Sequence, residues 1–127
     1  MRREVFGKKL IENPVTRYEI GHMARQVESL QAWIEMLLYQ TDKLSIEQSN
    51  AMLGGQTAAL KAHAGIVLEY VCSGCTQLLG GLGLTRGGTG ARIEQIWREV
   101  KAFTIPGGAQ SGKWQLFFSR TFRWIKG

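Results

Sequence analysis

Only two prolines occur in this chain of 127 residues, at positions 14 and 106. A proline inside a helix costs about 3 kcal/mol or more, so their absence in between leaves a long stretch free to be helical. The apolar residues there keep a helix's period. Ile20, Met23, Val27, Leu30, Ile34 and Leu37 recur at steps of three and four, which places them on one face of a helix. Asn13 followed by Pro14 reads as an N-cap and a first-turn proline, so the helix is expected from there to about residue 42. Trp33, Met36 and Leu38 widen the apolar face, and the helix is expected to be covered on more than one side.

Ser45 with Gln48 reads as a capping box that opens a second helix. Its apolar positions are Leu53, Leu60, Ala64, Val67, Val71, Cys75 and Leu78. Gly54 and Gly55 are expected to loosen it near its start, since an interior glycine costs about 1 kcal/mol relative to alanine. Gly80-Gly81 should stop it. Residues 80–90 form a glycine-rich connection, and a third helix is expected from about Ala91 to Phe103, with Ile93, Ile96, Trp97 and Val100 inward. No segment carries a strand signal of useful weight, and residues 1–10 read as the last turn of a helix followed by a loop. The fold class expected is therefore all-α: an antiparallel bundle of three main helices, with the first bundle helix mostly missing and an open face where it belongs. Such a bare apolar face predicts self-association or a partner.

Charge is unevenly placed. Residues 1–112 hold twelve basic and ten acidic side chains, whereas 113–127 hold Lys113, Arg120, Arg123 and Lys126 and no acid. The body has no basic stripe, so no nucleic-acid partner is expected. No uninterrupted apolar run approaches the roughly 20 residues that cross a bilayer, and the residues after Met1 do not read as a secretory signal.

Three features invite a chemical reading. Cys72-Ser73-Gly74-Cys75 is a CxxC, but it lies in an apolar helical run where cysteine acts as a small hydrophobe. His22 and His63 lack paired-ligand spacing with it, so no metal site is expected. The glycine run 80–90 matches neither a Walker nor a Rossmann pattern. It still lets backbone N–H groups approach a ligand, so a nucleotide's pyrophosphate stays open as a reading. The tail combines its cations with Trp114, Phe117, Phe118, Phe122 and Trp124. Its aromatics suit packing on the bundle, and the alternative is an amphipathic membrane-surface helix.

Several segments, in order, resemble the C-terminal domain of the acyl-CoA dehydrogenase family. Arg3-Glu4-Val5-Phe6-Gly7-Lys8 resembles that family's R-x-x-F-G-K/R turn. Gln77-Leu78-Leu79-Gly80-Gly81-Leu82-Gly83 resembles its Q-x-x-G-G-x-G. Arg98-Glu99 resembles an R-D pair, and Ile105-Pro106-Gly107-Gly108 the start of an I-x-E/G-G-T segment. The likeness covers residues 1 to about 108, and it divides the chain into that domain and a divergent basic and aromatic tail, 109–127.

The resemblance implies FAD-dependent α,β-dehydrogenation of an acyl-CoA thioester, as in fatty acid or amino acid catabolism. It also implies an electron-transfer flavoprotein as acceptor, and a homo-oligomer or pairing with a full-length relative. By the same carry-over, Arg3 would contact the FAD diphosphate of a partner subunit and Phe6 would line its adenine region. Gln77, Gly80 and Gly81 would hold the ADP portion. Gly107 stands where many members carry the catalytic Glu, so no catalytic residue is assigned in this chain, and as an isolated chain it is expected to be inactive. Family habit implies the mitochondrial matrix or peroxisome, with the cytoplasm as the alternative. A non-catalytic helical interaction module and a membrane-peripheral protein remain the rival readings.

Overall fold

The computed structural model describes residues 4–106 and 110–121. The N-terminal turn of the family pattern is a hairpin rather than a helical remnant. Strands β1 (Glu4–Val5) and β2 (Lys8–Lys9) pair antiparallel, Glu4 opposite Lys9 and Val5 opposite Lys8. Two residues close it, Phe6 at φ 52° and Gly7 at φ 73°. Positive φ at both positions is the type I′ turn that matches strand twist. Two-residue strands are too short to show an alternating pattern, which is why the sequence offered no strand signal there.

A short 3-10 turn, Leu10–Glu12, leads into helix α1, Pro14–Lys43. Asn13 caps it, its side-chain oxygen accepting from the Val15 N–H at 2.9 Å, with Pro14 in the first turn. Arg17 ties the turn to the helix by donating to the Ile11 and Glu12 carbonyls at 3.1 and 2.9 Å. Helix α2, Ile46–Leu79, opens with the full capping box: the Gln48 N–H donates to Ser45 Oγ and the Ser45 N–H to Gln48 Oε1, at 3.2 and 3.1 Å. It runs unbroken through Gly54 and Gly55, so these glycines do not loosen it, and Gly55 is buried. Helix α3 spans Ala91–Thr104, and α4 spans Gln110–Thr121.

Helix α2 is the hub, with α1, α3 and α4 all packed on it. On one side Met23 lies against Gly74, where an added Cβ would stand 2.5 Å from the Met23 sulfur, and the Trp33 ring meets His63 at 6.0 Å. On another side Lys101 of α3 reaches Glu69 at 2.6 Å, and the Lys61 ammonium donates to the Phe103 carbonyl at 2.8 Å. The core is built from Met23, Leu37, Leu53, Val67, Cys72 and Val100 with the fully buried Ala59 and Ala62. Burial of a large apolar side chain contributes about 1.5–3 kcal/mol, so this seam supplies most of what holds the helices together.

Two expectations about coverage are corrected. Met36 and Leu38 are exposed, so α1 is covered on the α2 side only, and Trp97 is 42 % exposed rather than inward. Among the described residues no element packs over that side, so the residues that widen the apolar face stay exposed. The segment Ile46–Leu84 is also long and apolar enough, by length and composition, to cross a membrane, although no single uninterrupted run suggested it. Only 17 % of its most apolar window is buried, so the three helices packed on it leave much of that surface bare.

Candidate functional site

The hairpin, the start of α1 and the last turns of α2 enclose an open cleft of about 650 Å³. Val5, Leu10, Val15 and Leu78 supply apolar lining, and Thr16, Glu19, Tyr70, Ser73 and Gln77 supply polar groups. Tyr70, Ser73, Gly74 and Gln77 stand at successive helical spacings on α2, so one face of that helix forms the wall. An adjoining surface hollow of about 490 Å³ is lined by Phe6, Lys8, Lys9, Glu12 and Pro14, and it shares Val5 and Leu10 with the first. The two ends of the matched motifs, far apart in sequence, are thereby brought to one place.

Phe6 sits at the hairpin tip, fully exposed. A bulky residue in the left-handed region is a genuine outlier and costs about 1–3 kcal/mol. Gln77 is exposed and its side chain makes no hydrogen bond within the described residues. Three residues on, Gly80 ends α2 at φ 58° and ψ −139°, its N–H donating to the carbonyls of Gln77 and Thr76. Gly81 is exposed, with nothing within 4 Å of where a Cβ would stand. A ligand therefore has access to the peptide backbone there. Arg3 and the Gly107-Gly108 pair lie outside the described residues.

The rest of the glycine-rich connection is tightly folded. It makes two 3-10 turns, Gly80–Leu84 and Gly88–Gly90. A Cβ on Gly90 would overlap the Leu82 carbonyl, and one on Gly83 would stand 3.0 Å from the Thr76 oxygen. Thr85 Oγ1 closes the bend by donating to the carbonyls of Leu82 and Gly87 at 2.8 and 3.1 Å. Only part of the glycine run is thus open to a ligand, and the remainder is packing.

The two cysteines are free, Cys72 buried and Cys75 half-buried. Burial pushes both thiols above their ordinary value, and for Cys72 the neighbouring Cys75 adds to this. Suppressed thiolate means weak nucleophile and weak metal ligand, in keeping with a packing role. Sequence reasoning missed Glu19, Tyr70 and Ser73 as lining residues. The signal for Tyr70 and Ser73 was available, since they precede Gln77 by seven and four positions on the same helix. Nothing short of the folded α1–α2 pair would have brought in Glu19.

An α-helical hub with a cleft between an N-terminal turn and a glycine-capped helix end defines the class of domain. The family model described as "Acyl-CoA dehydrogenase, C-terminal domain" matches residues 1–116. The chain belongs to the acyl-CoA dehydrogenase family and corresponds to its C-terminal domain. It is 38 % identical over 110 residues to acyl-CoA dehydrogenase apdG of Emericella nidulans, covering 87 % of this chain and 25 % of the relative. It is 30 % identical over 112 residues to acyl-CoA dehydrogenase AFT10-1 of Alternaria alternata, covering 87 % and 26 %. Against the short/branched chain specific acyl-CoA dehydrogenase, mitochondrial, of Bos taurus it is 27 % identical over 109 residues, covering 86 % and 23 %. The chain thus spans about a quarter of the length of these relatives. No solved structure matches it.

Proposed function

We propose that this domain binds the ADP half of FAD in an acyl-CoA dehydrogenase, and supplies the contacts through which subunits share that cofactor. The observation that carries the reading is Phe6, an aromatic ring held fully exposed in a strained backbone conformation beside the Gln77 cleft. The strained backbone costs about 1–3 kcal/mol, which a ring with a ligand to cover would offset. In this reading Gln77 donates or accepts through its amide, and the open backbone at Gly80 and Gly81 approaches the diphosphate. Phe6 covers the adenine region of a cofactor bound by a second copy or a full-length relative, and Arg3 forks to phosphate oxygens. Lys8 and Lys9 add positive charge beside the same hollow.

When bound, FAD would accept hydride during α,β-dehydrogenation of an acyl-CoA thioester. In this reading the chain's residues bind and orient the cofactor, none of them is assigned as the proton-abstracting base, and the chain alone is expected to be catalytically inactive. Electron-transfer flavoprotein as acceptor follows from the family, and so does a mitochondrial location, which the name of the bovine relative supports and the fungal ones leave open. The division at residue 108 into a family domain and a distinct tail is also part of the proposal.

The test is flavin fluorescence across size-exclusion chromatography of the purified chain with added FAD. Flavin co-eluting with a dimer or larger species, lost in Arg3→Ala and weakened in Phe6→Ala, is the expected result. A flavin-free helical oligomer whose thermal stability ignores FAD would overturn it in favour of a non-catalytic interaction module.

A further inference from the structure

Helix α4 packs on α2 in an unexpected way: among its side chains the structure describes, the most buried is a lysine. Lys113 is 6 % exposed, while Trp114 and Phe117 on the same helix are half-buried with their rings 6.0 Å apart, edge to face. The Lys113 ammonium nitrogen is shut from solvent and has no hydrogen-bond partner among the described residues. By helical phase, Gly55, Ala58 and Ala62 lie opposite Leu53, Leu60 and Val67 on α2. Gly55 and Ala62 on that side are buried, and residues this small leave room for a long side chain between packed helices.

Among the described residues no acid neutralises the amine. From α2 it faces Lys61, which is committed to the Phe103 carbonyl. The acids of α2 are Glu47, in its first turn, and Glu69, which is held by Lys101 of α3. Those of α3 are Glu94 and Glu99, both engaged by Arg98. Within Gln110–Thr121 there is no acid at all.

We propose that α4 is a releasable latch on α2, seated when the Lys113 amine is neutral and freed when it takes up a proton. A buried, unpaired cation is strongly disfavoured, and a lysine escapes it by losing its proton or by leaving. The physical asymmetry lies in the neighbours: burial first, then the Lys61 charge, hold Lys113 below its ordinary 10.5 when α4 is seated. A lowered value in the seated state means that seating strengthens as pH rises through that value towards 10.5, and weakens as pH falls. Release would uncover the surface of α2 beneath α4 together with Trp114 and Phe117.

The experiment follows the indole N–H resonance of Trp114 in the full chain between pH 6 and 10, assigned by its absence in Trp114→Phe. The wild-type resonance is expected to move from a released to a seated position as pH rises, with a midpoint below 10.5. Lys113→Met removes the buried charge, and its resonance should hold the seated position at every pH. A pH-independent wild type, or the same transition surviving in Lys113→Met, overturns the latch. Should Lys113→Met fail to fold, Lys61→Met decides. Removing that neighbouring charge should move the neutral-pH signal towards its seated value, and an unchanged titration counts against the proposal.

Discussion

Phe6 and Gly80 carry nearly the same backbone angle, φ 52° and 58°, at two turns that the fold sets near one cleft. At Gly80 the residue is the one the geometry wants, since glycine alone enters that region freely. At Phe6 the geometry is held against the residue, and the side chain it carries is fully exposed. A turn chosen for folding alone would place asparagine or glycine before Gly7. The glycine end of the cleft is therefore shaped mainly by conformation, and the hairpin end keeps a side chain at a conformational cost. In the proposed function that cost is met by a ligand the ring covers outside its own chain.

The comparison can be broken or sharpened by substitution, and the largest effect belongs to the glycine end. Gly90→Ala drives a methyl into the Leu82 carbonyl, so the loop between α2 and α3 must open. A loss of about 3 kcal/mol or more in urea unfolding is expected, as for other severe overpacking. A near-wild-type midpoint would mean that the loop is pliant. Gly80→Ala, at φ 58° and ψ −139°, puts a Cβ in backbone space essentially reserved for glycine and should cost about 1–3 kcal/mol, read in the same titration.

Phe6→Gly reverses the sign. Relief of the left-handed strain should raise stability by up to about 1 kcal/mol, while flavin retention falls. If flavin retention is untouched, the ring is not what the strain is kept for. Gly81→Ala closes the series with the smallest stability effect, within about 0.5 kcal/mol, since nothing lies near the new methyl and exposed substitutions behave so. Weaker flavin binding by this variant would separate a ligand-facing glycine from the packing glycines Gly83 and Gly90.

Much of this fold was legible in the chain. Helices α1, α2 and α3 begin and end within a residue or two of expectation. Their signals are local: the Asn13-Pro14 start, the Ser45 and Gln48 box, and the glycines at 80 and 81 act over one helical turn. The hairpin was not legible, because its two-residue strands are defined by pairing across a turn and by a φ that Phe6 does not advertise. The partial cover of α1 and the exposure of Trp97 were missed for a related reason. Periodicity shows which face is apolar, not whether a neighbour exists to meet it.

The candidate site divides in the same way. Gln77, Gly80 and Gly81 were named through one contiguous motif, and Phe6 through another. That Val5 beside Phe6 shares a cleft with Gln77, and that Tyr70, Ser73 and Glu19 join it, required α1 and α2 to pack.

By itself the sequence determined the helices, their caps, the breaks between them and the family to which they belong, because each depends on neighbours one or two turns away. Tertiary structure alone decided that α2 is the hub, that α4 seats a lysine against it, and that the hairpin stands beside the end of α2. Those outcomes turn on which surfaces meet and what charge is shut between them, and such contacts join residues that lie far apart along the chain.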